Sequence, residues 1–275
     1  MVSQPADPSE FHAFERAGWE SIPQAYQDAF GALTTQAIGP LLDAARVGPG
    51  VQVLDVATGP GYVAGAAVGR GATVVGVDFS APMLAEARRH HPGIDFQAGD
   101  AAALPFPDAS FDAVVMSFGL LHLDRPDRAL AEAHRALRTG GRLAFTVWAR
   151  PEAAVGFGIV LDAIKRHGRL DVPLPPGPPF FRFSDPEECH RTLLQVGFET
   201  PEVATVPQVW QLYSLDALFD MMRHGTVRTA GLLRLQTPDA QDAIRTAIRE
   251  AVRSYQQAGV VELPMPAILA SGSKH

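Results

Sequence analysis

The feature that most constrains the fold is a regular alternation of two kinds of segment between residues 51 and 148. Short apolar runs rich in β-branched residues lie near 51–56, 72–78, 94–98, 112–117 and 142–148. Between them, the helical patterns cover 61–68, 81–90 and 125–138. Such alternation is typical of strand-helix units that build a parallel sheet. Because right-handed crossovers bring the loops after the strands to one edge, we expect a ligand to bind there.

Residues that begin or end helices stand where this pattern needs them. Ser80 is placed to cap the helix that follows it, and Pro82 and Pro126 suit first helical turns. The pair Gly140-Gly141 is expected to stop the chain before the fifth strand. No prediction depends on the last five residues, 271–275.

The segments on either side of the repeat differ from it. Residues 10–45 predict two helices, broken near 21–23 and again at Gly39-Pro40, and we expect them to form a lid. The sequence therefore divides into an N-terminal helical lid (1–45), a ligand-binding core (46–150), and a region (151–275) that supplies a helical cap insertion and the last strands.

The third region contains both helical and strand-like patterns. A helix is expected to about residue 167, followed by a proline-rich surface connector at 172–179 that cannot be helical. Another helix should be capped by Ser184 and closed at Gly197. The remaining patterns are strand-like at 203–212, helical at 215–224 and 238–257, and apolar at 260–270.

Composition excludes several classes of protein. With 275 residues, of which 47% are hydrophobic and 19% charged, the chain can bury a sizeable core. A net charge of -7 disfavours nucleic acid as a partner. The single cysteine, Cys189, forms no internal disulfide, no apolar run is long enough to span a membrane, and the first ten residues do not resemble a signal peptide. We expect a cytoplasmic protein without a bound metal; the sequence does not indicate its oligomeric state.

The turn after the first strand carries the main binding motif. Gly59 and Gly61 remove side chains where a ligand must approach the backbone, and a helix N-terminus follows. Asp78 ends the second strand, seventeen residues after Gly61, where a carboxylate can accept both hydroxyls of a ribose. Glycines in this pattern also occur in nicotinamide-binding proteins, so the motif by itself predicts only a nucleoside.

Two further carboxylates narrow the choice of nucleoside. Asp55 lies in or at the end of the first strand, where a buried carboxylate needs backbone donors or an ammonium group. Asp100 ends the third strand, where it can accept from an adenine amino group while the N–H of Ala101 meets a ring nitrogen.

The ordered set of motifs resembles the class I S-adenosylmethionine-dependent methyltransferases, in particular small-molecule enzymes similar to the ubiquinone and menaquinone C-methyltransferases. The resemblance covers about residues 45–149. The matching elements are the Gly59 turn, Asp78-Phe79-Ser80 with Met83-Leu84, Gly99-Asp100-Ala101, Leu104-Pro105-Phe106, Phe111-Asp112, and residues 137–143. It implies a Rossmann-like, doubly wound α/β fold with a seven-stranded sheet that is parallel except for one strand near the C-terminus, and 203–212 and 260–270 are candidates for the last two strands.

The resemblance also implies how S-adenosyl-L-methionine would be held. The glycine turn would contact the methionine part, Asp78 the ribose, Phe79 the adenine ring and Asp100 the adenine amino group. Asp55 and the Ser117 carbonyl would meet the ammonium group, and Ala57, Met83 and Ala101 complete the expected binding set.

Other side chains are candidates for handling the methyl acceptor. His122 follows the fourth strand and could act as a base, although a hydrogen-bonded structural histidine is the simpler interpretation. Trp19 and Tyr26 in the lid could cover a cationic sulfonium, and Trp148 could line an apolar pocket, but core packing explains each of them equally well.

The leading hypothesis is methyl transfer from S-adenosylmethionine to a small, apolar acceptor, with release of S-adenosylhomocysteine. Two alternatives stay open: a protein that binds the sulfonium nucleoside without transferring its methyl group, and a nicotinamide-dependent dehydrogenase. The sequence does not identify the acceptor or its methylated atom.

Overall fold

The protein is described here by a computed structural model that covers residues 9–275. The first eight residues of the predicted lid lie outside the described residues. The ten strands of the described chain are β1 (Gln52–Val56), β2 (Thr73–Asp78), β3 (Asp95–Ala98), β4 (Phe111–Ser117), β5 (Leu137–Trp148), β6 (Glu199–Val206), β7 (Val209–Leu212), β8 (Gln256–Gln257), β9 (Val260–Pro264) and β10 (Ala267–Ser273).

Seven of these strands form one sheet in the order β3-β2-β1-β4-β5-β10-β6. β1 to β5 are parallel to one another, and β10 pairs antiparallel with both β5 and β6. The chain builds outward from β1 to β3 and then returns to add β4 on the other side. The predicted doubly wound α/β fold is therefore confirmed, and its topological switch point lies between β1 and β4.

Several of the α-helices begin at a capping side chain or at a first-turn proline. The α-helices are α1 (Glu10–Ser21), α2 (Pro23–Tyr26), α3 (Ala32–Thr34), α4 (Ile38–Ala44), α5 (Tyr62–Gly69), α6 (Ala81–His90), α7 (Pro126–Ala136), α8 (Val155–His167), α9 (Pro186–Val196), α10 (Ala217–His224), α11 (Arg228–Arg234) and α12 (Pro238–Val252). The hydroxyl of Ser80 accepts the N–H of Met83, as predicted, and Pro82 and Pro126 lie in first turns.

Three predicted boundaries are wrong. Gly39-Pro40 does not break a helix, because both residues lie in the first turn of α4, where proline is tolerated. Asp185, not Ser184, caps α9; Ser184 instead donates to the carbonyl of Phe181. Gly140-Gly141 lies inside β5 at a register shift, with Gly140 in the left-handed region, rather than before the strand.

Both C-terminal strand predictions merge two strands that belong to different sheets. The segment 203–212 divides into β6 of the large sheet and β7 of a three-stranded sheet with the order β7-β9-β8. The apolar run 260–270 divides in the same way into β9 and β10. The predicted helix between Trp148 and about residue 167 is present as α8, and the predicted helices at 215–224 and 238–257 are present with shorter ends, whereas α11 is not predicted by the sequence pattern.

The last residues contribute to the fold. Lys274 exchanges backbone hydrogen bonds with the Gly140-Gly141 bulge, and its ammonium group donates to the carbonyls of His134 and Leu137 at 2.8 Å each. Lys274 thus links the end of α7 to the start of β5. Residues 271–275 therefore make structural contacts that the sequence does not indicate.

The lid and the third region pack on each other as well as on the core. Trp210 donates its indole N–H to the carbonyl of Ala29, and the amide of Gln208 donates to the carbonyl of Leu33. Both donors are buried. These contacts place lid and cap residues above the carboxyl ends of β1 and β4. No helix within residues 9–275 has the length and apolar character needed to cross a membrane.

Candidate active site

A cavity lies over the switch point of the large sheet. It contains about 1050 Å³ of space not occupied by protein atoms, and core, lid and cap residues all contribute to its wall. The predicted site residues that line it are Asp55, Ala57, Gly59, Asp78, Phe79, Met83 and Ser117 from the core, Trp19 and Tyr26 from the lid, and His122 and Trp148. A cavity at this position is where open α/β sheets bind ligands.

The glycine turn forms the floor of one end of the cavity. Gly59 and Gly61 have φ values of +53° and +81°, which side-chain-bearing residues rarely adopt. A Cβ atom on Gly61 would lie 2.9 Å from Phe96, whereas one on Gly59 would meet nothing within 4 Å. Gly61 is therefore needed for packing beneath the turn, and Gly59 leaves open space above it.

Asp78 is held against this turn by backbone donors. Its Oδ2 accepts the N–H of Gly59 at 2.9 Å and its Oδ1 accepts the N–H of Ser80 at 2.8 Å. Burial raises the pKa of Asp78 to about 6, although these backbone hydrogen bonds act in the opposite direction. The carboxylate can still accept from ligand hydroxyls, since each oxygen has a second lone pair.

Asp55 is the most unusual group in the cavity wall. Its Oδ2 accepts from the Thr58 hydroxyl at 2.6 Å and from the N–H of Ala64 at 3.1 Å. Its Oδ1 is buried and has no hydrogen-bond partner among the described residues. Burial raises the pKa of Asp55 to about 7. A buried oxygen of this kind is costly unless a donor outside the protein satisfies it.

Two residues beside the switch point adopt strained backbone conformations. Ala57 and Phe118 have φ values of +55° and +51°, and both line the cavity. They follow β1 and β4, and a Cβ atom added to Gly119 would lie 2.5 Å from that of Ala57. Strain of this kind persists where the surroundings impose it and often marks functional sites.

Aromatic side chains surround the other end of the cavity. Trp19 packs edge-on to Tyr26 with ring centroids 5.4 Å apart, and Phe118 lies 4.1 Å from Trp148. Burial raises the pKa of Tyr26 to about 12, so its phenol stays protonated at neutral pH. This end of the cavity can therefore take an apolar or cationic group, while the glycine end offers carboxylates.

His122 connects the cavity to a buried charge cluster that the sequence does not reveal. Its Nδ1 lies 3.0 Å from Oε2 of Glu15, which also accepts from the indole N–H of Trp19. Oε1 of Glu15 accepts from Nε of Arg228 at 2.9 Å. Glu15 lies on amphipathic α1 and Arg228 begins α11, so neither has a local pattern that predicts this contact.

Three predicted ligand-binding residues lie outside the cavity wall: Gly61, Asp100 and Ala101. Asp100 accepts the N–H of Ala102 at 2.8 Å and pairs with Arg125 at 3.2 Å, and a third of its side chain is exposed. The structure thus brings Asp55 and Asp78 together but leaves Asp100 beside the cavity.

The sheet order, the single antiparallel strand and the cavity at the switch point define the fold of class I methyltransferases. Residues 54–145 match the family model described as methyltransferase domain. Residues 54–145, about a third of the chain, thus correspond to a methyltransferase domain, which confirms the fold and the family resemblance found in the sequence for this region.

Curated relatives match part of the chain. The demethylmenaquinone methyltransferase of Renibacterium salmoninarum is 47% identical over 111 residues, which is 40% of this chain and 47% of that protein. That of Thermus thermophilus is 44% identical over 115 residues, covering 40% and 52%. The chain therefore matches about half the length of these relatives.

Solved structures share the fold over almost the whole chain. A phosphoethanolamine N-methyltransferase 2 of Haemonchus contortus, in complex with S-adenosyl-L-methionine, is 19% identical, with a TM-score of 0.59 over 98% of this chain and 61% of that one. The [4+2]-cyclase SpnF is 18% identical, with a TM-score of 0.60 over 99% of both chains. At this level of identity the likeness shows the fold alone, and one fold hosts different chemistries.

Proposed function

We propose that the protein transfers a methyl group from S-adenosyl-L-methionine to a small, apolar, aromatic acceptor. The observation that carries this proposal is the composition of the cavity, which joins two buried aspartates at a glycine turn to a wall of aromatic side chains. The first end fits a polar nucleoside amino acid, and the second fits an apolar acceptor.

The residues of the cavity suit S-adenosyl-L-methionine on their own geometry. The unpartnered Oδ1 of Asp55 would accept from the ligand's ammonium group, and Asp78 would accept from the ribose hydroxyls. The open space above Gly59 leaves room for the methionine part of the ligand. When bound, this ligand supplies an electrophilic methyl group on a positively charged sulfur.

The chain's own contribution to such a reaction is positioning. A displacement at a methyl carbon depends mainly on alignment and proximity, which a closed cavity supplies. The aromatic rings of Trp19 and Tyr26 can lie against a cation, and lid and cap residues form part of the cavity wall. Asp100 remains a proposed adenine contact, although its carboxylate is already shared with Arg125.

The test is product formation with a panel of acceptors. The purified protein is incubated with S-adenosyl-L-methionine and with demethylmenaquinone, simple naphthols or phenols, and S-adenosylhomocysteine is measured by mass spectrometry. We expect the product only when an acceptor is present. Binding of the nucleoside without product across the panel would contradict methyl transfer and favour a ligand-holding role.

A further inference from the structure

His122 is placed to take a proton from a molecule in the cavity. It ends a short 3-10 helix, Leu120–His122, that follows β4, and its ring forms part of the cavity wall. Nδ1 is engaged by Glu15, whereas Nε2 has no hydrogen bond to any residue of the described chain. We propose that His122 is the general base of the transfer and that Glu15 is its positioning residue; this inference rests on the proposed function.

Glu15 has the surroundings of a fixed carboxylate rather than a surface residue. It is 1% exposed, and its two oxygens together accept from Trp19, His122 and Arg228. Burial alone would raise the pKa of Glu15, but His122 and Arg228 outweigh burial, and the pKa lies below its ordinary value. Glu15 is therefore ionised at neutral pH and can only accept hydrogen bonds.

An ionised Glu15 determines which nitrogen of His122 carries the proton. Because Oε2 can only accept, the proton of the neutral imidazole must be on Nδ1, and Nε2 keeps its lone pair. Arg228 pairs with the other oxygen of Glu15 at 2.9 Å, so the carboxylate is held in place while its Oε2 orients the ring. The ring is also held in place by Trp19 at 4.7 Å and Phe180 at 5.8 Å between centroids.

The cluster joins all three parts of the chain. Glu15 belongs to the lid, His122 to the core, and Arg228 to the cap, where Arg228 also donates to the carbonyl of Pro178 at 2.8 Å. The base is therefore correctly oriented only when lid and cap are both closed over the cavity. Such an arrangement links proton transfer to the exclusion of water.

A base in this position indicates an acceptor with an acidic hydroxyl, such as a phenol or an aromatic diol. The hydroxyl proton passes to Nε2, and the freed electron pair lets the acceptor oxygen bond to the methyl carbon. If a conjugated ring carbon bonds to the methyl carbon instead, that carbon then loses its hydrogen as a proton and the oxygen regains one, which restores the aromatic ring and the hydroxyl. The bond between the methyl carbon and sulfur breaks with its electron pair left on sulfur. The imidazolium then returns its proton to solvent. General bases of this kind contribute roughly 10²–10⁴ in rate.

The first experiment separates the base from its surroundings. In His122→Asn the amide can still donate to Glu15 but cannot act as a base, so we expect the fold and the affinity for S-adenosyl-L-methionine to be retained and kcat to fall at least about 100-fold. Glu15→Gln should lower kcat by a similar factor with little change in that affinity. Its amide can donate to Nδ1 and so favour the wrong tautomer, as in the serine protease triad.

The matched control is Glu132→Gln. Glu132 is a buried glutamate that pairs with Arg135 at 2.8 Å and accepts the N–H of Leu104, but it does not line the cavity. This substitution removes a buried carboxylate of the same kind, and we expect kcat to stay within about twofold of the wild type. A loss of activity caused only by a destabilised fold would appear in the control as well.

Nitrogen-15 NMR of the histidine rings supplies a measurement without ligand or turnover. We expect the signal of His122 to show a proton on Nδ1 and a bare Nε2 in the wild type and in Glu132→Gln, with this preference lost in Glu15→Gln. A proton on Nε2 in the wild type, or full kcat in His122→Asn, would overturn the assignment. Failure of the wild type to release S-adenosylhomocysteine would contradict the proposed function, whereas a correct tautomer with full activity in His122→Asn contradicts the base alone.

Discussion

Oδ2 of Asp78 accepts the backbone N–H of Gly59 at 2.9 Å, which ties the end of the second strand to the turn after the first. The same carboxylate that organises the turn therefore also faces the space where a ligand would lie. This double role means that a substitution of Asp78 acts on the turn and on binding together, while Asp100, outside the cavity, acts on neither as strongly.

We expect Asp78→Asn to weaken the binding of S-adenosyl-L-methionine at least about tenfold, because hydrogen bonds to a charged acceptor contribute roughly 1.5–3 kcal/mol. Asp100→Asn should weaken binding only a fewfold, since its carboxylate is shared with Arg125 and Ala102. Isothermal titration calorimetry of both variants measures the difference. Equal losses would mean that Asp100 turns into the cavity when the ligand binds.

Asp55 should make the stability of the ligand-free protein depend on pH. Burial raises its pKa to about 7, so the folded protein holds this proton more tightly than the unfolded chain does. That stabilisation is complete below about pH 4 and is lost as pH rises to 7 and above. We expect the stability of Asp55→Asn relative to the wild type to increase by about 1–3 kcal/mol from pH 5 to pH 8, measured by urea denaturation.

The control for this prediction has the opposite sign. Burial acts to raise the pKa of Glu132, but Arg135 and the N–H of Leu104 outweigh it, and the pKa lies below its ordinary value. Glu132 therefore stabilises the folded state above the pKa of the unfolded chain and loses this effect only as pH falls below about 4.5, so the stability of Glu132→Gln relative to the wild type should not change between pH 5 and pH 8. If Asp55→Asn and Glu132→Gln showed the same pH trend, the assignment of a raised pKa to Asp55 would be wrong.

The two glycines of the turn should respond differently to the same substitution. Gly61→Ala combines a left-handed φ with a contact of 2.9 Å to Phe96, so we expect it to destabilise the fold by about 2–4 kcal/mol. Gly59→Ala has an unfavourable φ as well but meets open space, so we expect it to destabilise the fold by only about 1–2 kcal/mol. Its new methyl group would lie in the cavity. Gly59→Ala should therefore lower the affinity for S-adenosyl-L-methionine, whereas Gly61→Ala should act mainly on the free energy of unfolding. Thermal unfolding with and without S-adenosyl-L-methionine separates the two effects.

Lys274 should contribute to stability without affecting the site. Its ammonium group donates to the carbonyls of His134 and Leu137, and none of these three residues lines the cavity. We expect Lys274→Ala to lower the free energy of unfolding by about 1 kcal/mol and to leave ligand affinity unchanged. A change in the affinity for S-adenosyl-L-methionine would mean that the start of β5 is coupled to the cavity.

The sequence predicts the repeat and its caps because those signals are local. Strands β1 to β5 and helix α6 follow from hydrophobic patterns, and the pairing of Ser80 with Met83 follows from a capping residue. The same local logic fails for 203–212, where a single strand-like run supplies two sheets. Only long-range pairing with β10 and β9 decides where the chain changes sheet.

The site was predictable to the extent that its residues lie next to those local signals. Asp55, Gly59 and Asp78 stand at strand ends, so their proximity follows from a parallel sheet. Glu15 does not, because a glutamate on an amphipathic helix is normally exposed. Its burial depends on Arg228, which lies 213 residues further along the chain. No sequence pattern near either residue predicts that contact.

A calorimetric titration of the wild-type protein with S-adenosyl-L-methionine, S-adenosylhomocysteine, NAD and NADP tests directly which nucleoside the cavity binds. We expect the first two to bind with a stoichiometry of one and the nicotinamide nucleotides not to bind. At about 100 times the dissociation constant, each of the first two should add about 2.7 kcal/mol of stability. Binding of NAD or NADP together with no heat from S-adenosyl-L-methionine would contradict the assignment of the cavity to S-adenosyl-L-methionine.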